Sequence, residues 1–241
     1  MTPIGYIRSP YQEKFAIPRQ PGLVPAASGY CDLIGEFGQP ETVRGLEQFS
    51  HIWVLFEFHA HRDRDWQPLV RPPRLGGNKK VGVFASRSTF RPNSIGMSLL
   101  QLEQVSHCQV DGKAVNRLTV CGLDLLDGTP ILDIKPYLPY AESLPQADAG
   151  YAEDKPTTRL SVCWQQAAKQ QLHLLKQTQR DLPQLNLEQL IEQVLQQDPR
   201  PAYQAGQLSE RRYGVKLAGL DVQFCFVEPG QVEVVALTVS D

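Results

Sequence analysis

A chain of 241 residues with 41% apolar and 21% charged side chains is long enough to bury one or two cores and too hydrophobic to remain disordered. Its net charge of −2 excludes polyanion binding by bulk charge, so any nucleic acid must meet a local basic surface. The five cysteines (Cys31, Cys108, Cys121, Cys163 and Cys225) are odd in number and include no Cys-x-x-Cys pair, which argues against a disulfide framework, a structural zinc site or an iron–sulfur centre. The stretch Met1–Arg8 lacks a basic region leading into a long apolar one, and no apolar run approaches about 18 residues, so a cytoplasmic protein without membrane attachment is expected.

In chain order, short strands are predicted at Gly5–Arg8, Ser28–Ile34, His51–Phe58, Lys80–Ala85, Met97–Val105, Ala114–Leu126 and Pro130–Ile134, separated by Gly, Pro, Asn and Asp clusters. Only Glu41–Gln48 reads as a short helix, so the strand–helix alternation of a doubly wound parallel sheet is missing and a Rossmann fold is disfavoured. Residues Ser143–Thr158, rich in Pro, Ala and Gly without periodicity, read as a connection, and the boundary is placed between residues 145 and 146. Beyond it, Trp164, Ala168, Leu172 and Leu175 form one helical stripe, and Leu187, Leu190, Ile191, Val194 and Leu195 form a second. Asn186 with Gln189 suits a helix N-terminus, and Pro199 an end. Strands follow at Arg212–Leu217, Asp221–Val227 and Gln231–Val239, with a turn at Glu228-Pro229-Gly230. The expected class is α+β: a β-rich barrel or sandwich over residues 1–145 and a small α+β domain over 146–241.

Chemistry-bearing residues cluster in three places. From Gln67 to Leu102 there are six basic residues (Arg71, Arg74, Lys79, Lys80, Arg87 and Arg91) and no acidic one, on a segment whose prolines and glycines imply loops suited to phosphate contacts. Within it, Arg87 to Gly96 packs two guanidinium groups, the Asn93 amide and hydroxyls into a turn, donors that suit a carboxylate or phosphate. The third cluster is Asp124 to Tyr137, where Asp127-Gly128-Thr129-Pro130 is a turn and Asp133, Lys135 and Tyr137 share one strand face as acceptor, cation and phenol. His59-Ala60-His61 with Asp63 and Asp65 has a faint metal-site look, but His51, His107 and His173 complete no ligand spacing, so no metal is expected and His59 is preferred as a pocket-lining donor or base.

At these clusters the chain resembles a known family. Tyr6–Tyr11, Pro18-Arg19-Gln20-Pro21-Gly22, Arg71–Asn78, Phe84–Asn93 and Asp127-Gly128-Thr129-Pro130 through Lys135-Pro136-Tyr137 are similar to the TrmO family, also known as YaeB or TsaA-like proteins, and Asp198–Tyr203 resembles the second domain of its bacterial long form. The resemblance implies a methyltransferase that moves the methyl group of S-adenosyl-L-methionine (SAM) to N6 of a threonylcarbamoyl-modified adenosine 3′ of the anticodon of threonine tRNA. It also implies a single-sheet β-barrel catalytic domain acting as a homodimer. By the same resemblance, SAM contacts fall on Pro18, Arg19, Gln20, His59, Ala60, Arg87, Met97, Asp124, Leu125, Leu126 and Asp127. Arg91, Asn93, Asp133, Lys135 and Tyr137 are expected around the transferred methyl and the incoming base, with Tyr137, Asp133 and His59 as alternative bases. Arg71 to Lys80 would take tRNA phosphates, and Arg200 with Tyr203 would add a contact from the small domain. Two other readings stay open on the residues alone: a non-catalytic RNA- or nucleotide-binding adaptor with the same barrel, and a metal-dependent hydrolase using His59, His61 and Asp63.

Overall fold

The computed structural model describes residues 1–62, 64–154, 160–175, 185–200 and 209–240. Strands β1 (Gly5–Arg8), β2 (Ser28–Leu33), β3 (His51–Glu57), β6 (Ile95–Val110), β7 (Lys113–Cys121) and β8 (Pro130–Pro136) form one antiparallel sheet. Its order is β1-β2-β7-β6-β3-β8, and β8 returns to β1 through Gly5↔Ile131 and Tyr6↔Pro130, which closes the sheet into a barrel. Strand β3 shows why: Ile52, Val54 and Phe56 alternate inward into the core while His51, Trp53, Leu55 and Glu57 point out. Burying each such apolar side chain contributes about 1.5–3 kcal/mol, enough in sum to hold the register. No helix intervenes between these strands among the described residues except short 3-10 turns.

A two-stranded piece, β4 (Leu69–Val70) with β5 (Val81–Gly82), stands apart from the barrel. After the short helix α1 (Pro139–Glu142), a second sheet is ordered β10-β11-β12-β9, from β9 (Ser161–Trp164), β10 (Ser209–Leu217), β11 (Leu220–Glu228) and β12 (Gln231–Val239). Helix α2 (Gln166–Leu175) packs on β12, and α3 (Leu187–Gln196) on β9. The stripe Leu187, Leu190, Ile191, Val194 and Leu195 is buried as its spacing predicts, and the Asn186 side chain accepts from Gln189 N–H at 3.2 Å as an N-cap. One apolar cluster runs from Ile7 and Leu118 in the barrel to Leu190 and Val222 in the C-terminal part.

Several sequence expectations are corrected. Glu41–Gln48 is not an α-helix but two 3-10 turns, Pro40–Val43 and Leu46–Gln48, separated by Gly45 at φ +86°. The buried Asn116 amide holds this segment by donating to Phe37 O (3.2 Å), Gln39 O (2.7 Å) and Thr42 Oγ1 (3.0 Å), tertiary bonds that outweigh a weak helical pattern. Lys80–Ala85 is a strand only at Val81–Gly82 and then turns into the 3-10 segment Val83–Ala85. Trp164 belongs to β9, which pairs parallel with β12, rather than to the first helix.

Candidate active site

A cleft of about 530 Å³ opens at one end of β3 and β6. Of the residues singled out in the sequence, Pro18, Arg19, Gln20, His59, Ala60, Arg87, Arg91, Met97, Asp124, Leu125 and Leu126 line it. They come from four separate segments, each fixed by its own contacts. Gly22 N–H donates to Gly122 O at 2.9 Å, tying the Pro18–Gln20 loop to the segment that carries Asp124. Gly122 has φ +73°, and a Cβ there would stand 3.2 Å from Gly22 Cα, so both conformation and space call for glycine. Arg87 Nη1 then donates to Gln20 Oε1 at 2.8 Å across 67 residues of chain.

The floor is polar. Ser98, 1% exposed, points inward from β6 and its hydroxyl donates to Asp124 Oδ1 at 2.6 Å. Burial raises the Asp124 carboxyl to a pKa of about 6, against the lowering effects of Ser98, a backbone hydrogen bond and the Arg87 charge. The walls are apolar, from Leu55, Phe56, Ile95 and Leu125. Gly96 leaves room for them, because a Cβ there would lie 2.3 Å from the Phe56 ring. At the rim, the turn His59–His61 follows β3, and Lys14 Nζ donates to Ala60 O at 3.3 Å. Burial lowers the pKa of His59, opposed by a hydrogen bond and charge from Glu57 and helped by the Arg62 and Lys14 charges, which favours the neutral imidazole. His61 is lowered too, by burial and then by Lys14 and Arg64. Ser94, which precedes β6, is held at φ +51°, an uncommon backbone for a non-glycine residue beside a site.

Other sequence-derived residues fall elsewhere. The Asp127 carboxylate accepts from Ser9 N–H at 2.8 Å and its own N–H donates to Tyr11 O at 2.8 Å, clasping two chain segments rather than lining the cleft. Asn93 is exposed outside the lining. Asp133 and Lys135 do share a strand face and pair at 2.9 Å, but on β8 outside the cleft lining: Asp133 is the register partner of the wall residue Leu55 and edges a second cavity of about 550 Å³. Tyr137 packs edge-on against Trp53, with ring centroids 6.1 Å apart, and is outside the cleft as well. Arg200 is not a surface cation: it is 6% exposed, pairs with both Asp198 oxygens at 2.8 Å, and lies 3.4 Å from the Phe226 ring centroid. Tyr203 and Asp63 lie outside the described residues. In the basic segment, Arg71, Lys79 and Lys80 are exposed, Arg74 donates to Asp154 O, and Arg91 Nη1 donates to Ser86 O (2.8 Å) and Val83 O (3.3 Å). No three His, Cys, Asp or Glu side chains among the described residues are grouped to hold a metal ion.

Sequence reasoning missed Ser98, although a hydroxyl on the inward face of an apolar strand, between Gly96 and Leu100, is a readable signal. Of the cleft walls it named Leu125 but missed Leu55 and Phe56, which are indistinguishable from core residues in the linear pattern.

The N-terminal domain model of tRNA-methyltransferase O matches residues 6–143, and the TrmO C-terminal domain model matches residues 157–240. The tRNA (adenine(37)-N6)-methyltransferase of Escherichia coli is 51% identical over 234 residues, covering 97% of this chain and 95% of that protein. A Pseudomonas aeruginosa protein described as a putative S-adenosylmethionine-dependent methyltransferase is 48% identical, with 100% and 98% covered. The crystal structure of TrmO from Pseudomonas aeruginosa superimposes with a TM-score of 0.78 at 42% identity, covering 98% of this chain and 96% of that one.

Proposed function

This chain belongs to the tRNA-methyltransferase O family, and from that membership we propose that it transfers a methyl group from SAM to adenine N6 in tRNA, at the cleft between Arg19, Arg87 and Asp124. The observation that carries the reading is the Arg87–Gln20 hydrogen bond, which joins two motifs distant in sequence at the mouth of a cleft floored by Asp124. The cleft fits the donor in size, since small-molecule sites run from roughly 300 to 1,000 Å³. It fits in chemistry too: Arg87 or Arg19 would hold the methionyl carboxylate, the Asp124 carboxylate would face positive charge, and backbone groups around Leu125 would bind the purine.

Bound SAM supplies an electrophilic methyl on a sulfonium. The chain's part is alignment and proton handling. Apolar walls from Leu55, Phe56 and Leu125 exclude water from the line of attack. The His59 imidazole at the rim, biased toward its neutral form, can take the N6 proton, while the Arg91 N–H groups not bound to Val83 O and Ser86 O would donate to the carbamoyl oxygen, where negative charge builds as that proton leaves. The proposed substrate is the threonylcarbamoyl-modified adenosine of threonine tRNA, whose carboxylate gives a second use for clustered arginines. Asn93, Asp133, Lys135 and Tyr137 then meet the incoming tRNA around the cleft rather than inside it. The reading extends to residues 1–145 as the catalytic part, residues 146–241 as a second tRNA contact, and a cytoplasmic homodimer, the last checked by light scattering.

The test is incubation with labelled SAM and tRNA carrying or lacking the threonylcarbamoyl group, followed by nucleoside analysis. Methylation of the modified tRNA alone is expected; none in either would defeat the reading, and equal labelling would defeat the proposed substrate. Arg87→Ala should weaken SAM binding by about tenfold or more in calorimetry, as loss of a charged hydrogen-bonding partner does. Unchanged binding would remove Arg87 from the donor site.

A further inference from the structure

Phe84 is 74% exposed, and the backbone of the turn that carries it is tied down on several sides. In the 3-10 turn Val83–Ala85, Val83 is buried and Phe84 faces outward. Val83 N–H donates to Pro68 O at 3.0 Å, which hangs the turn from the β4–β5 pair. Ser86 closes it twice on Val83 O, by N–H at 3.2 Å and by hydroxyl at 2.8 Å. Arg91 Nη1 bridges Val83 O and Ser86 O, leaving its guanidinium carbon 5.7 Å from the Phe84 ring centroid. Tyr151 Oη donates to Ala85 O at 2.9 Å. A phenyl ring carried outward on a backbone tied this firmly adds no core burial, and with Arg91 beside it the ring is presented as a surface.

The surroundings narrow what that surface meets. Ser86, Arg87 and Arg91 line the cleft, so the ring stands on its rim. The segment from Gln67 to Leu102 has six cations and no Asp or Glu, and Arg71, Lys79 and Lys80 are exposed within it. A flat apolar face backed by a guanidinium and bordered by cations matches a single-stranded nucleic acid, which offers base faces and phosphates together.

We infer that Phe84 is a stacking platform for a nucleobase adjoining the target adenosine in the tRNA loop, with Arg91 bracing the ring and the exposed Arg71, Lys79 and Lys80 near the flanking phosphates. The inference rests on the tRNA reading above. The test uses full-length modified tRNA assembled by ligation in three forms: intact, abasic on the 5′ side of the target, and abasic on the 3′ side. Methylation kinetics are compared for the wild type, Phe84→Ala and Phe84→Trp. Phe84→Ala should raise KM for intact tRNA by about tenfold, within what one base–aromatic stack contributes, while SAM affinity stays unchanged and Trp restores KM. One of the two abasic tRNAs should cost the wild type a similar factor and cost Phe84→Ala nothing further. Additive losses with both abasic forms, or an unchanged KM, overturn the platform alone. A shift in sedimentation mass with no KM effect assigns the ring to a contact between protein chains and overturns it as well. No methylation of intact tRNA by the wild type would defeat the tRNA reading and this inference with it.

Discussion

Replacing Asp124 by Asn separates what a buried carboxylate costs the fold from what it provides at the site. Burial raises this group from its ordinary 3.8 to about 6, so the folded protein holds the proton more tightly than the unfolded chain. Below the ordinary value both states are neutral and nothing is lost. As pH rises from there to about 6, the unfolded chain ionises first and the fold is progressively destabilised; above about 6 the penalty is complete. At about 1.4 kcal/mol per tenfold change in proton affinity, it amounts to about 3 kcal/mol. Asn keeps an oxygen for the Ser98 hydroxyl, now 2.6 Å from Asp124 Oδ1, and carries no charge. Asp124→Asn should therefore be about 3 kcal/mol more stable than the wild type in urea unfolding at about pH 7.5, with the gain vanishing near about pH 3.5. The same variant should bind SAM at least about tenfold more weakly, the trade expected where a site keeps an unfavourable group for its ligand. An equal gain at both pH values, or none at the higher one, would refute the reasoning.

Two further outcomes follow from the site's surroundings. Gly96→Ala places a Cβ 2.3 Å from the Phe56 ring and 2.9 Å from that of Phe58, two rings packed edge to face with centroids 5.1 Å apart. It should cost about 1–3 kcal/mol and lower the thermal midpoint by several degrees, with an unchanged midpoint counting against the close packing. Lys79→Ala with Lys80→Ala removes two exposed cations and should leave SAM binding intact while flattening the salt dependence of tRNA binding by about 1–2 in log–log slope; an unaltered slope would take these lysines off the phosphate path.

Much of the barrel is legible in the sequence because its strands alternate cleanly, as in Ile52, Val54 and Phe56. The second helix is legible for the same reason, its stripe having a single consistent period. Strand β9 is not, since its pairing is with the distant β12, and four residues carry too little pattern to show it. In the site, the motif resemblance brings Gln20, His59, Arg87 and Asp124 to one place. Local pattern alone reaches only a polar, anion-friendly loop there. The grouping of Asp133 and Lys135 shows the limit of periodicity: a two-residue repeat tells that side chains share a face, and their ion pair bears that out. It does not tell whether that face reaches the cleft: Asp133 pairs with the wall residue Leu55 and still stays out of the lining. Arg91 illustrates a related limit, because a guanidinium that reads as available in the sequence is engaged by two carbonyls of its own loop.

The seam between the two sheets has a mechanical consequence. Ala218 N–H donates to Pro10 O at 2.7 Å, Lys216 N–H to Glu13 Oε1 at 3.0 Å and Gly219 N–H to Gln12 Oε1 at 3.2 Å, beside the bridge Tyr11↔Leu217. The β10–β11 turn thus grips residues 10–13, immediately before Lys14 and the Pro18–Gln20 loop of the cleft. Any load on that turn reaches Arg19 and Gln20 through a few residues of backbone. Separating the two sheets would break these three hydrogen bonds at once, so the C-terminal sheet serves as the anchor for the segment that leads into this side of the cleft.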